Sequence, residues 1–182
     1  MSDNDNIIND HSIEKSTSGK VAFKGLLLAF ALILSYVESL IPFYFGIPGA
    51  KLGLANLAVV LCLYLFSAGT AITVNILRII LSGFLFGNMF SILYSLAGAL
   101  FSFVIMLGLK KSGKFSIYGV SVAGGVFHNV GQIMIAAWVV QTVSIVFYLP
   151  VLLMAGLLTG LLIGIIASRI MPYVSQFKER IK

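Results

Sequence analysis

The chain has 182 residues, of which 59% are hydrophobic and 10% charged, and its formal net charge is +6. Soluble domains carry about 25% charged residues, so this composition excludes an ordinary soluble fold and marks an integral membrane protein of one domain. The positive charge belongs to residues that flank membrane spans rather than to a nucleic-acid surface, and a single cysteine, Cys62, excludes a disulfide within the chain.

Residues 1–20 are polar, mixed in charge and without the apolar centre of a signal peptide. They are expected to form a disordered cytoplasmic tail, and His11 within it has no ligand-type partner at useful spacing. A span needs roughly 20 mostly apolar residues. Six segments qualify: 21–41, 52–67, 70–86, 90–109, 117–141 and 146–171. The second and third are short and joined by a tight turn, "SAGT". The expected fold is an all-α integral membrane protein, a six-helix transmembrane domain over 21–172, followed by a basic cytoplasmic tail, 173–182. Lysine and arginine set the orientation. Lys15, Lys20, Lys24, Lys110, Lys111, Lys114, Arg169, Lys178, Arg180 and Lys182 fall on one side of a six-span chain, and Lys51 falls on the other. Both termini of this multi-pass protein are therefore expected in the cytoplasm.

The first helix carries Gly25 and Ala29 four residues apart, a patch for a helix of the same chain or of a partner. It also carries Glu38, the only acidic residue between Glu14 and Glu179, on the face of Ser35. Near the interface, Glu38 is either solvated or part of a site. The stretch "PFYFGIPGAK" follows, with Pro42, Pro48, Gly46 and Gly49 as turn-formers and Tyr44 and Phe45 as aromatic surface. It reads as a lid over an outward pocket or as an interfacial aromatic belt. Lys51 then opens the second helix, with Asn56 one turn further in. The N–H groups of a helix start favour an anion.

In the third helix Asn75, Arg78 and Ser82 share a face. An arginine at a span's centre costs about 2.5–3.5 kcal/mol on the insertion scale, so Arg78 is either an internal ion pair or an anion contact in a cavity. Ser91, Ser95, Gly98 and Ser102 make one face of the fourth helix, read as packing. In the fifth, Ser121, Gly125, His128 and Gln132 form a small and polar face with Asn129 beside it. His128 is either a buried histidine bonded to a neighbouring helix or a substrate or proton-relay group. The sixth repeats Gly156, Gly160, Gly164 and Ser168 every four residues, a stripe that lets another backbone approach closely. No metal site is expected, because no H-x-x-x-H or E-x-x-H pair is present. No nucleotide-binding loop and no cofactor motif appears.

"IPGAKLGLAN" after the first helix, together with "GGVFHNVGQ" in the fifth, resembles the Gx transporter family, whose members are also labelled heptaprenyl diphosphate synthase component I. The resemblance covers residues 21 to about 171. The family looks like the substrate-binding S components of energy-coupling-factor transporters. The resemblance implies an S-component-like bundle, a loop capping an outward site, and contact of Gly25 and Ala29 with an energy-coupling transmembrane subunit that works with ATPases, or with another membrane-complex protein. Genes of this family also occur beside prenyl diphosphate synthase genes and in loci for flavin-based extracellular electron transfer. A synthase activity in this chain is not expected. Such enzymes hold magnesium through aspartate-rich motifs, and aspartate occurs here only at Asp3, Asp5 and Asp10.

The expected function is a membrane transporter or substrate-binding subunit, embedded in the lipid bilayer and taking up a small molecule. Glu38, Lys51, Asn56, Asn75, Arg78, His128, Asn129 and Gln132 are the substrate-binding candidates. Lys51 and Arg78 against Glu38 favour an anionic ligand. The rival reading is a non-catalytic membrane subunit supporting prenyl diphosphate or quinone synthesis or extracellular electron transfer.

Overall fold

The computed structural model describes residues 3–40 and 53–180. The described residues form an all-α bundle: α1 Asp3–Leu40, α2 Asn56–Leu65, α3 Ala68–Phe86, α4 Met89–Ser112, α5 Ile117–Val140 and α6 Leu149–Arg180, with a 3-10 turn at Val143–Tyr148 before α6. Five of these helices contain a stretch long and apolar enough to cross a membrane. Large apolar side chains such as Phe84, Val104, Trp138 and Leu158 are exposed on them. An apolar surface of this extent is what lipid covers, and the protein is a multi-pass membrane protein.

Side chains close the helix starts. The hydroxyl of Ser67 accepts from the Thr70 N–H at 3.1 Å, and Asn88 Oδ1 from the Ser91 N–H at 2.8 Å. These N-caps satisfy backbone donors that the first turn leaves free. α4 ends on Gly113 in the left-handed region, φ 68°. α1 begins at Asp3, ahead of its apolar stretch, which starts at Val21. Once a span has nucleated, each added residue closes one more backbone hydrogen bond, which lets polar sequence continue the helix.

α2 stands where the second apolar segment, 52–67, was expected and is the shortest of the six helices. The described helix has only 10 residues, about 15 Å of rise, half of the roughly 30 Å of hydrocarbon. Its start is fixed by Gly53, whose φ of 87° cannot continue an α-helix. Every residue of α2 except Tyr64 is buried. It is a core helix inside the bundle, packed on α1, α3, α5 and α6, and not a lipid-facing one.

Ring contacts fix the directions. Phe23 meets Phe66 at 5.3 Å and Tyr36 meets Phe86 at 5.0 Å, so α1 and α3 run together and α2 runs against them. Phe23 of α1 and Tyr173 of α6 line one groove. The start of the first apolar run and the end of the last therefore lie at the same end of the bundle. Lys110, which reaches the C-terminal turn of α2, lies there too.

α4, α5 and α6 pack backbone against backbone. A methyl placed on Gly125 would sit 2.2 Å from Gly156 O, and one on Gly160 would sit 2.7 Å from Ser121 O. The glycine stripe of α6 is therefore a packing surface against α5. Ser102 Oγ adds a 2.8 Å bond to Gly124 O between α4 and α5.

Candidate functional site

Polar side chains from five helices converge in the half of the bundle away from Lys110. From α1 come Ser35 and Glu38, from α2 Asn56, from α3 Asn75, Arg78 and Ser82, from α4 Ser91 and Ser95, and from α5 His128 and Gln132; all are buried. The helical spacings that put these residues on shared faces point inward because each outer face is apolar and meets lipid.

Neighbouring residues connect the group from α1 to α5. Glu38 Oε1 accepts the Gly53 N–H, which bolts the end of α1 to the start of the α2 turn. The same carboxylate acts electrostatically on Arg78. Arg78 Nη2 donates to Asn75 Oδ1 at 2.5 Å. A methyl on Gly53 would sit 3.0 Å from Asn56 Nδ2 and 3.6 Å from His128 Cδ2. A methyl on Gly98 would sit 3.1 Å from His128 Cε1 and 2.9 Å from Gln132 Cγ. Arg78, Glu38, Gly53, Asn56, His128 and Gln132 thus form one continuous run of neighbours across the interior.

Several polar atoms in and around this run have no hydrogen-bond partner among the described residues. Gln132 is 3% exposed, yet both its amide oxygen and its amide nitrogen are unpaired. So are Asn56 Nδ2, Arg78 Nε and the hydroxyls of Ser35, Ser91 and Ser95. An unsatisfied buried polar group costs about 1–3 kcal/mol, and native interiors pair nearly all of theirs. Several such groups in one place mark a site that takes up polar matter, either water or a hydrogen-bonding molecule. Among the described residues no group of three or more His, Cys, Asp or Glu could hold a metal ion.

A family model described as heptaprenyl diphosphate synthase component I matches residues 27–170. The chain belongs to that family. No curated protein and no solved structure shows significant similarity to it. Within the family segment lie all the residues of the polar run, whereas Gly25 precedes it.

The other candidates of this family member stand as follows. Lys51 and the proposed lid with Tyr44 and Phe45 lie outside the described residues. Asn129 Nδ2 donates to Leu152 O at 2.6 Å, which ties α5 to α6, while its Oδ1 has no partner among the described residues. Gly25 and Ala29 are exposed, and nothing lies within 4 Å of a methyl on Gly25. Gly25 borders a groove of about 590 Å³ between α1 and α3, with Lys24, Thr70 and Thr73 on its walls. Sequence reasoning missed the parts played by Ser91 and Ser95, because a serine on a small-residue stripe reads as packing. It also counted Lys110 only as a topology marker. The signal for Gly53 was present as a glycine between Lys51 and Asn56.

Proposed function

We propose that the protein is a substrate-binding membrane subunit, similar to an energy-coupling-factor S component, which takes a small polar molecule into the buried site between α1–α3 and α4–α5. The observation that carries this reading is Gln132, a buried amide whose donor and acceptor are both unpaired, in a bundle whose four preceding helices also hold buried unpaired polar groups. The charge surplus expected to favour an anion rests on Lys51, which lies outside the described residues. Within them, Glu38 offsets Arg78, and the unpaired atoms of Ser35, Asn56, Ser91, Ser95 and Gln132 are neutral amides and hydroxyls. The ligand this site suits best presents neutral donors and acceptors together, with Arg78, beside Glu38, as a charged contact. The lysines then lie on the cytoplasmic side and the site opens outward, following the positive-inside rule. Gly25, exposed beside an open groove, suits contact with a partner subunit.

The family description favours a second reading, a non-catalytic membrane subunit of prenyl diphosphate synthesis. In both readings the chain carries no catalytic step, because its membrane domain contains no aspartate and only one glutamate.

The test is to purify the protein from its native membrane and identify co-purifying small molecules and proteins by mass spectrometry. The binding reading expects a small polar molecule that is lost from Arg78→Ala while expression and melting persist. If no small molecule is present, and Arg78→Ala alters only assembly with a prenyl-synthesis protein, the second reading replaces it.

A further inference from the structure

α2 is held at both ends by charges from other helices. At its start the Glu38 carboxylate of α1 accepts the Gly53 N–H. At its end Lys110 Nζ of α4 donates to Leu63 O and lies 4.9 Å from the centre of the Tyr64 ring. Both charges complement the helix dipole, negative at the N-terminus and positive at the C-terminus, and the ammonium adds a cation–π contact. The last carbonyls of a helix have no partner within it; at the end of α2 the Phe66 N–H returns to Cys62 O, at 3.0 Å, and Lys110 donates to Leu63 O. Between its ends α2 contains neither glycine nor proline. Ala58, Val59, Cys62 and Leu63 are 0% exposed, and so closely packed a segment moves as one body.

We propose that Lys110 is a positioning residue for the polar site: by holding the C-terminal turn of α2 it sets the depth and rotation of Asn56 and Gly53 at the other end, with Asn56 about 10 Å away along the helix. The proposal rests on reading the polar run as the binding site. It gives a lysine on the cytoplasmic-loop side a direct mechanical link to a site in the opposite half of the bundle. Lys111, next in sequence and exposed, carries the same charge without the contact.

Cys62, the only cysteine in the chain and buried in α2, is a built-in reporter. The experiment compares wild type, Lys110→Met, Lys110→Arg and Lys111→Met in detergent. Three quantities are read: the rate of Cys62 labelling by a maleimide, amide hydrogen exchange in the peptide covering residues 53–57, and thermal melting. Lys110→Met, which keeps the apolar stem, is expected to speed Cys62 labelling about tenfold or more, the scale of one charged hydrogen bond. It is also expected to raise exchange at residues 53–57. Lys110→Arg restores much of both, because it keeps the charge but not the point-like geometry. Lys111→Met matches wild type. Should Lys110→Met fail to fold, Lys110→Gln, which keeps a neutral donor, is expected to fall between wild type and full loss of the contact. Unchanged labelling and exchange in Lys110→Met or Lys110→Gln overturns the proposal, as does an equal effect of Lys111→Met. A wild-type protein that carries no small molecule but shows the expected α2 response defeats the binding reading alone. A retained small molecule with an unmoved α2 defeats the positioning role alone.

Discussion

Gly53 meets two demands at one position. Its φ of 87° is a backbone conformation that costs other residues roughly 1–2 kcal/mol, and a methyl there would press on Asn56 Nδ2 at 3.0 Å. Gly53→Ala is therefore expected to lower stability by about 1–3 kcal/mol, read as a lower melting temperature in detergent, and to displace Asn56 from the polar run. Gln132 separates stability from binding. Its amide is unpaired on both sides, so replacing it with an apolar residue of similar volume removes an unsatisfied group rather than a bond. Gln132→Leu is expected to melt at or above the wild-type temperature while losing about 1–3 kcal/mol of ligand affinity, the scale of the hydrogen bonds it forfeits. A clear drop in melting temperature with affinity unchanged would make Gln132 a structural residue and remove it from the site.

At the scale of helices, two glycines on similar-looking small-residue patches predict opposite outcomes. Gly125 faces Gly156 O at a distance that leaves no room for a methyl, 2.2 Å, whereas Gly25 has nothing within 4 Å. Gly125→Ala is expected to cost about 1–3 kcal/mol by overpacking, and Gly25→Ala to leave the isolated protein's melting unchanged or slightly higher. Thermal unfolding of the two variants in the same detergent checks both. Their sequences alone do not tell them apart, since a spacing of four shows that a face is small and not what lies against it. The polar faces were easier to read. Asn75, Arg78 and Ser82, or His128 and Gln132, stand out because each polar group in an apolar helix costs free energy and must face inward. α2 was the least legible element. A continuous apolar run looks the same whether lipid or protein surrounds it. Only the turn at Gly53 and the burial of nearly every residue of α2 show that the run is a core half-helix.

For the whole molecule, the order of directions and the charge bias come from independent sources. The ring contacts and glycine contacts set α1, α3 and α5 against α2, α4 and α6, which puts the two ends of the membrane domain at one end of the bundle. The proposed orientation, with that end in the cytoplasm, rests on the lysine and arginine counts, because basic residues near spans tend to be retained there. The half-length of α2 does not alter this parity, since Phe66 at its end lies level with Phe23 and α3 starts again from the same side. A single-cysteine experiment tests the assignment in intact cells. In a Cys62→Ala background, Lys111→Cys lies on the exposed last turn of α4 and Thr142→Cys on the exposed turn after α5, at opposite ends of the bundle. A membrane-impermeant maleimide is expected to label Thr142→Cys from outside and to reach Lys111→Cys only after the membrane is permeabilised. The reverse pattern would turn the molecule over in the membrane. The polar site would then open toward the cytoplasm, and uptake from outside would give way to the reading of a subunit that serves an enzyme on the inner face.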